Sequence, residues 1–266
     1  MGRKLGDSME FIEVRRDGRG VAEIRLCRAD KHNALSAQMM TELEAAARGL
    51  AAEDAVRVVV LSAEGRSFCA GGDLAWMREQ FDMDRATRRV ESARIATALG
   101  ALYALPQPLI GRVQGNAFGG GLGLISVCDV AVAVDIAKFG LTEVKLGLIP
   151  ANIGPYVIHR MGARSAQEVF MNARLFGADE AVRLGLVNRV AGADVLDEAV
   201  EAEVAPYLSC APGAVRDAKA LLRRLAGEVA PEAVEGAIDA LAERWETTEA
   251  RTGIAAFFDK RPAPWA

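Results

Sequence analysis

Three consecutive glycines, Gly119 to Gly121, lie between an apolar strand-like segment and an apolar helix-like segment in this 266-residue chain. Each glycine costs strand or helix stability relative to alanine, so a run of three indicates a need for exposed backbone. Free N–H groups at a helix start, together with the helix dipole, favour negative charge in a facing pocket. The run therefore predicts an anion-stabilising helix start, but a tight turn before a buried helix would also explain the glycines.

A second strand–glycine–helix junction precedes the first, in Ser67-Phe-Cys-Ala-Gly-Gly-Asp-Leu74. Period-two alternation predicts an N-terminal hairpin over 10–15 and 21–26, and the β-branched run 56–62 predicts a parallel strand covered on both faces. A helical apolar stripe follows Ser36, a suitable N-cap residue. Two junctions that each follow a strand predict repeated ββα units and an α/β fold.

The strand patterns end near residue 191, and apolar stripes with helical spacing follow. We therefore predict a ββα core over residues 1–190 and a helical region over residues 191–266. Such a helical region either caps the core or packs against another subunit. We favour packing against another subunit, which makes the helical region an oligomerisation region.

The composition argues against several classes of function. The 32 basic and 36 acidic residues leave a net charge of −4 without long runs of one sign, so neither nucleic acid nor an anionic membrane is indicated as a partner. The first eight residues lack the apolar segment of a signal peptide, and no stretch has the roughly 18 apolar residues of a membrane span. The four cysteines are widely spaced, and the two histidines lack metal-ligand spacing. We expect a cytoplasmic protein with reduced thiols and no metal.

The junctions indicate proton transfer beside a carbonyl group. If both face one cavity, an N–H from the Gly72 region and one from Gly119–Gly121 would converge on a developing oxyanion. The Gly-x-Ser-x-Gly elbow of hydrolases is absent, and so are the Gly-x-Gly-x-x-Gly and Walker patterns of nucleotide sites. One carboxylate can then handle the proton. Glu143, the acid that follows the glycines, is the candidate; a helix N-terminal position would explain it without catalysis.

Four segments, in order over almost the whole chain, resemble the crotonase, or enoyl-CoA hydratase/isomerase, superfamily. They are Ser67-Phe-Cys-Ala-Gly-Gly-Asp-Leu, Gly115-Asn-Ala-Phe-Gly-Gly-Gly-Leu-Gly-Leu, Phe139-Gly-Leu-Thr-Glu-Val-Lys-Leu-Gly-Leu-Ile-Pro and Phe257-Phe-Asp-Lys-Arg-Pro-Ala-Pro-Trp. The resemblance implies a crotonase-like spiral of ββα units with a helical C-terminal trimerisation region. It also implies an acyl-CoA substrate bound by a homotrimer or a dimer of trimers. Coenzyme A is then part of the substrate, and no separate cofactor is expected.

The resemblance also assigns site residues. Gly72 and Gly120 match the residues whose N–H groups hold the thioester oxygen, and Glu143 matches a catalytic glutamate. The candidate CoA-binding residues are Lys31, Ala34, Ala70, Asp73, Leu74, Phe257 and Lys260. The last two match residues that in the family reach CoA bound mainly by a neighbouring subunit. Asp73 can equally be a helix cap, and Lys260 can be a solvated charge.

Gly123 departs from the two-acid pattern, because typical hydratases have a second glutamate at this position. Single-acid sites are familiar from Δ3,Δ2-enoyl-CoA isomerases. The sequence around Glu143 instead resembles bacterial methylglutaconyl-CoA and carboxygeranoyl-CoA-type hydratases. These hydratases also tend to have glycine at the position of Gly123. We therefore place hydration of a 2-enoyl-CoA first, with isomerisation or a catalytically inactive acyl-CoA-binding homologue as alternatives. Lys145, His159 and Arg160 are possible partners for a substrate carboxylate.

Overall fold

A computed structural model describes residues 9–266 of the chain, so the interpretation of the first eight residues lies outside the described part. The strands are β1 (Ile12–Arg16), β2 (Val21–Leu26), β3 (Val58–Ala63), β4 (Ser67–Cys69), β5 (Leu109–Val113), β6 (Asn116–Phe118), β7 (Val130–Val134), β8 (Lys138–Gly140), β9 (Phe176–Gly177) and β10 (Arg189–Ala191). The α-helices are α1 (Ala37–Ala51), α2 (Leu74–Glu79), α3 (Arg85–Tyr103), α4 (Gly120–Ser126), α5 (Gly154–Phe170), α6 (Ala178–Arg183), α7 (Leu196–Leu208), α8 (Pro212–Ala226), α9 (Pro231–Trp245) and α10 (Thr248–Phe258).

The strands form two sheets, of six strands in the order β1-β2-β3-β5-β7-β10 and of four strands in the order β4-β6-β8-β9. The predicted hairpin is confirmed, since β1 and β2 pair antiparallel. The predicted parallel strand is confirmed as well: β3 lies parallel to β2 and β5, and all six of its residues are buried. An apolar run without alternation fits a central strand with both faces covered.

The chain alternates between the two sheets in a repeating order. Strands β3 and β4 lead into α2, β5 and β6 lead into α4, and β7 and β8 lead into the short 3-10 helix Glu143–Leu146. The predicted ββα repeat and α/β fold are therefore confirmed. The sequence indicated only two glycine junctions, whereas the third repeat ends at Glu143 without a glycine pair.

Local sequence signals explain several helix boundaries. The predicted cap at Ser36 is confirmed, because its hydroxyl accepts a hydrogen bond of 3.2 Å from the Met39 N–H at the start of α1. Helix α5 is interrupted at Gly162, which has a φ of 74°. Glycine adopts this positive φ without the steric cost of a side chain, so the helix axis can change direction there.

The C-terminal helices pack against their own core. Helix α7 contributes Leu196, Val200 and Val204 to the main apolar core, and α9 packs along α3. A smaller apolar cluster joins Trp245 and Ile254 to the loop after the 3-10 helix. The region therefore caps the core, which was the less favoured alternative, while its packing against another subunit and the boundary at residue 190 remain predictions. Within residues 9–266, no helix is both long and apolar enough to cross a membrane.

Candidate active site

Three junctions meet at one edge of the four-stranded sheet. Strands β4, β6 and β8 are parallel neighbours, so the segments that follow them leave the sheet on the same side. These segments begin with Gly71–Gly72, Gly119–Gly121 and Glu143. The repeated ββα topology therefore brings together both predicted glycine junctions and the predicted acid.

The N–H group of Gly72 points away from the hydrogen bonds that hold its segment. Leu35 donates its N–H to the Gly71 carbonyl at 2.8 Å and accepts the Asp73 N–H at 3.0 Å, which makes a parallel bridge around Gly72. In such a bridge, the N–H and C=O groups of the bridged residue face the opposite side. Among residues 9–266, no acceptor takes the Gly72 N–H. This donor is therefore available to a ligand.

Gly120 supplies a second free donor beside Gly72. It is the first residue of α4, where an N–H has no partner within the helix, and no acceptor elsewhere in residues 9–266 takes it. A Cβ added to Gly71 would lie 3.8 Å from the Gly120 nitrogen, so the two junctions lie side by side. Two unpaired N–H groups at adjoining junctions suit a developing oxyanion.

Gly119 brings the acid to this pair of donors. Its φ is 48° and its N–H donates to the Gly140 carbonyl at 3.0 Å. A Cβ on Gly119 would lie 2.9 Å from Oε1 of Glu143, which is closer than side chains normally approach. Glycine at this position therefore leaves the space into which the carboxyl group extends.

The Glu143 carboxyl group is held away from water. The residue is partly exposed as a whole, but its Oε2 atom is buried and has no hydrogen-bond partner among residues 9–266. Burial raises the pKa of Glu143 to about 7, although a hydrogen bond from its own backbone N–H acts in the opposite direction. A carboxyl group with a pKa near neutrality can both accept and return a proton. Desolvation at this site therefore dominates over any favourable helix-terminus effect.

Two cavities meet at Glu143. The inner cavity has a volume of about 90 Å³, and its wall includes Gly72, Ile95, Gly120, Glu143, Asn152 and Trp245. The outer cavity has a volume of about 220 Å³, and its wall includes Ala70, Gly72, Leu74, Glu143, Lys145 and Phe257. Because Gly72 and Glu143 belong to both walls, they mark the boundary between a mostly apolar inner space and the opening to solvent.

The structure brings together six of the predicted site residues at these cavities: Ala70, Gly72, Leu74, Gly120, Glu143 and Phe257. Phe257 reaches the outer cavity of its own chain. Lys31, Ala34 and Lys260 do not line either cavity. Lys31 and Lys260 are exposed, and the Ala34 carbonyl accepts a hydrogen bond from Arg28 at 3.0 Å.

The carboxylate of Asp73 is already occupied. Its Oδ1 caps α2 by accepting the Ala75 and Trp76 N–H groups at 2.8 and 3.1 Å, and its Oδ2 pairs with Arg28 at 2.5 Å. The capping alternative for Asp73 is thus confirmed. Its backbone N–H donates to Leu35 and its carbonyl accepts the Met77 N–H, so a role in CoA binding would need a second hydrogen bond to that carbonyl.

The missing second acid has no space at Gly123. A Cβ added there would lie 2.7 Å from Cγ2 of Ile153 and 2.9 Å from Cδ1 of Leu99. Neighbouring apolar side chains occupy the volume that a glutamate would need. The packing around Gly123 therefore leaves Glu143 without a second acid at this position.

None of the three proposed cationic partners lines the inner cavity. Lys145 lies at the outer cavity, and His159 Nε2 is 3.4 Å from the Tyr103 hydroxyl. The Arg160 guanidinium donates to backbone carbonyls, including that of Cys128 at 3.0 Å. Within residues 9–266, the inner wall contains no lysine, arginine or histidine.

Most of the inner wall was not predicted from the sequence, and Leu241, Trp245 and Asn152 are examples. Leu241 and Trp245 come from α9, whose stripe was assigned to oligomerisation, and nothing in the sequence distinguished the two uses. Asn152 comes from the loop that precedes α5. A lone amide in the otherwise apolar run Pro150-Ala-Asn-Ile153 was the signal that could have singled it out.

Known proteins with similar sequences and structures lead to the same family. The enoyl-CoA hydratase/isomerase family matches residues 16–266. The chain is 34% identical over 229 residues to enoyl-CoA hydratase ACTT6 of Alternaria alternata, which covers 83% of this chain and 75% of that protein. An enoyl-CoA hydratase structure from Shewanella pealeana is 36% identical with a TM-score of 0.79, over 97% of this chain and 96% of that one.

A second solved structure agrees over nearly the whole length. It is an enoyl-CoA hydratase from Mycobacterium avium, 29% identical with a TM-score of 0.85, covering 97% of this chain and 99% of that one. The match to the family spans both the ββα core and the C-terminal helices. The chain therefore belongs to the enoyl-CoA hydratase/isomerase family.

Proposed function

We propose that this protein reversibly adds water across the 2,3 double bond of a 2-enoyl-CoA. The observation that carries the proposal is the convergence of two unpaired donors, the N–H groups of Gly72 and Gly120, beside the buried carboxyl group of Glu143. Hydration passes through an enolate whose negative charge lies on the thioester oxygen. Preorganised N–H donors in a site shielded from water stabilise such charge strongly.

The chemistry needs only one carboxylate. The water oxygen bonds to C3 as one water O–H bond breaks, and Glu143 accepts that proton. Electrons of the double bond move to the thioester oxygen, where Gly72 and Gly120 donate hydrogen bonds. Glu143 then returns a proton to C2 as the carbonyl reforms, giving a 3-hydroxyacyl-CoA and restoring the carboxylate. The reverse dehydration uses the same groups.

The outer cavity suits the CoA part of the substrate. Ala70, Leu74 and Phe257 line it on the solvent side of Glu143, where the thioester must enter. Exposed Lys31 and Lys260 remain candidates for the nucleotide phosphates. Ala34 and Asp73 remain candidates only through a second hydrogen bond to their carbonyl oxygens, because their N–H groups donate to Lys31 and Leu35. No separate cofactor is needed for this reaction. A homotrimer or a dimer of trimers is proposed with it, and the exposed Leu221, Leu222 and Leu225 of α8 offer an apolar contact surface.

The inner cavity favours an uncharged acyl group. A carboxylated acyl chain, as in the methylglutaconyl and carboxygeranoyl thioesters, would place a second negative charge near Glu143 without a cationic partner in the wall. Burying an unpaired carboxylate is costly. We therefore propose a neutral short or branched 2-enoyl group as the substrate.

Isomerisation of a 3-enoyl-CoA to the 2-enoyl isomer is the second candidate. One observation favours it: Ile153 and Leu99 exclude a second acid at Gly123, and moving a proton from C2 to C4 requires only one carboxylate. An inactive binding protein is less consistent with the site, since an inactive homologue would have no need of a desolvated acid beside two unpaired donors.

Steady-state assays with crotonyl-CoA, 3-methylglutaconyl-CoA and a 3-enoyl-CoA test these alternatives. We expect hydration of crotonyl-CoA at a kcat/KM at least about 100-fold above that of 3-methylglutaconyl-CoA, because only the latter carries a buried unpaired charge. Glu143→Gln should lower hydration by about 100- to 10,000-fold while acyl-CoA still binds. The matched control, Glu79→Gln, changes an exposed glutamate on α2 and should leave turnover unchanged. Full hydration by Glu143→Gln would overturn the proposal.

A further inference from the structure

Asn152 lines the inner cavity and carries an unpaired amide oxygen. The side chain is buried, with only 4% of the residue exposed. Its Nδ2 donates to the Ser92 carbonyl at 2.7 Å, and its Oδ1 has no hydrogen-bond partner among residues 9–266. Because a carbonyl oxygen only accepts hydrogen bonds, the Ser92 contact fixes the amide with its nitrogen toward α3.

If Asn152 only tethered the loop before α5 to α3, the unpaired Oδ1 atom would have no explanation. The bond to Ser92 uses Nδ2 alone, while an unpaired buried acceptor costs about 1–3 kcal/mol. Groups of this kind in native proteins call for a missing partner. Because Asn152 lines the inner cavity, a donor that enters this cavity can be the partner, and a neutral enoyl chain offers none. Water is the donor that the proposed reaction brings there.

The added water has two O–H groups, but the site has only one carboxylate. Glu143 can accept one of them, and the second acid that could hold the other is excluded at Gly123 by Ile153. Ile153 directly follows Asn152, and both residues line the inner cavity. The segment that fills the place of the second acid therefore also supplies an amide oxygen.

We propose that Asn152 Oδ1 accepts a hydrogen bond from the water that adds to C3, so that the water lone pair faces the substrate. This role rests on the proposed hydration. During the step, the O–H bond directed at Glu143 breaks and its proton moves to the carboxylate. The O–H bond directed at Asn152 stays intact and becomes the hydroxyl group of the 3-hydroxyacyl product. Asn152 gains and loses no proton, which suits a neutral amide.

Two reactions of the same site separate this role from simple packing. Hydration of crotonyl-CoA needs the positioned water, whereas exchange of the C2 hydrogen of butyryl-CoA in deuterated water needs only Glu143 and the two N–H donors. Asn152→Leu keeps the branched shape and the number of heavy atoms, and it removes both the acceptor and the Nδ2 donor to Ser92. We expect its kcat for hydration to fall about tenfold or more, with C2 exchange within about threefold of wild type.

Asn152→Ala is the second variant. It leaves space for a water molecule that can replace the lost acceptor, so we expect hydration to fall less than in Asn152→Leu. A packing role gives the opposite order, because alanine leaves a cavity where leucine fills it, and a tether role lowers both variants alike, since both lose the bond to Ser92. Thermal unfolding of both variants identifies any general loss of structure.

Each outcome decides a separate point. Parallel losses of hydration and exchange in Asn152→Leu, or no loss of either, would overturn the role of Asn152 while leaving the proposed hydration in place. A wild-type protein that exchanges the C2 hydrogen but hydrates no 2-enoyl-CoA would overturn the hydration itself, and the role of Asn152 with it.

Discussion

The two glycine junctions have similar sequences, but they differ in how the first N–H groups of the following helix are satisfied. At the first, the side chain of Asp73 accepts two N–H groups of α2. At the second, α4 has no side-chain cap, and the N–H of Gly120 is left unpaired. The cap satisfies the first N–H groups of α2 within the fold, whereas the uncapped start of α4 leaves its first donor without a partner. At these two junctions, the side-chain cap, more than the glycine count, separates the helix start that is satisfied within the fold from the one that leaves a free donor.

Packing separates the junctions as well. A Cβ added to Gly72 would meet its nearest atom, Met77 Sδ, at an ordinary 3.6 Å. A Cβ on Gly120 would lie 2.6 Å from Leu35 Cδ1, and one on Gly121 would lie 2.6 Å from the Cys69 carbonyl oxygen. The second junction is therefore packed too tightly for any side chain, while the first has room at Gly72.

The acids beside the two junctions, Asp73 and Glu143, also differ, because their pKa values are shifted in opposite directions. Burial opposes ionisation of Asp73, but hydrogen bonds from the Trp76 N–H and from Arg28 outweigh it and lower its pKa. Burial without comparable partners raises the pKa of Glu143 to about 7. One carboxylate is committed to the fold, and the other is kept available for proton transfer.

Gly121→Ala should have the largest effect, because it drives the second junction into the backbone of the strand that leads to the first. The contact with the Cys69 carbonyl cannot be relieved by rotating a side chain. We expect a loss of about 3 kcal/mol in the free energy of unfolding and about 6–12 °C in the melting temperature. Hydration should fall more than about 100-fold, since small displacements of reacting groups are costly.

The control for this variant is Gly236→Ala in α9, where an added Cβ meets nothing within 4 Å. It should be neutral or stabilise the protein by up to about 1 kcal/mol. Thermal unfolding followed by circular dichroism checks both variants. If Gly121→Ala melts within 1–2 °C of wild type, which is roughly the effect of 0.5 kcal/mol, the second junction is not tightly packed.

Much of the fold follows from pattern. The alternation in 10–15 and 21–26, the β-branched run 56–62 and the cap at Ser36 depend on neighbours in the chain, and all three predictions are confirmed. The third junction could not be recognised, because Glu143 follows its strand without glycines. Its equivalence to the other two depends on the pairing of β8 with β6, which is a contact between distant segments.

The candidate site was predictable where the function of the backbone requires a particular residue type, such as glycine. Gly72, Gly120 and Glu143 converge as expected from the glycine pairs and the following acid. The wall formed by Leu241 and Trp245 was not predictable, because a stripe on α9 looks the same whether it covers its own cavity or another subunit. Lys31 and Lys260 carry no local signal that distinguishes a ligand contact from a solvated charge.

The pH dependence of hydration should show the next largest effect, since it depends on the difference between the two acids. Glu143 must be ionised to accept a proton from water, so kcat/KM for crotonyl-CoA should fall about tenfold per pH unit below about 7. The expected loss between pH 7 and pH 5 is on the order of 100-fold. Initial rates in buffers of constant ionic strength measure it; a flat profile would show that Glu143 titrates as an ordinary glutamate.

Unfolding does not account for such a loss. The pKa of Glu143 is higher in the native state than the ordinary value of 4.5, so its contribution to stability is present at acid pH and is lost as pH rises through about 7. The lowered pKa of Asp73 stabilises the native state above its ordinary value of 3.8 and stops doing so only below it. Melting temperatures at pH 5 and pH 7 should therefore show no acid destabilisation from these two groups.

Gly72→Ala should have the smallest effect on stability, because the first junction has room where the second has none. The added methyl group would lie at ordinary contact distances from Met77 and Trp76, and Gly72 does not need a positive φ. We expect the free energy of unfolding to change by less than about 1 kcal/mol, or about 2–4 °C in melting temperature. Thermal unfolding is the appropriate measurement, since the methyl group faces the cavities and would affect turnover separately. A destabilisation as large as that of Gly121→Ala would show that the two junctions are equally constrained, and the distinction would then rest on the Asp73 cap alone.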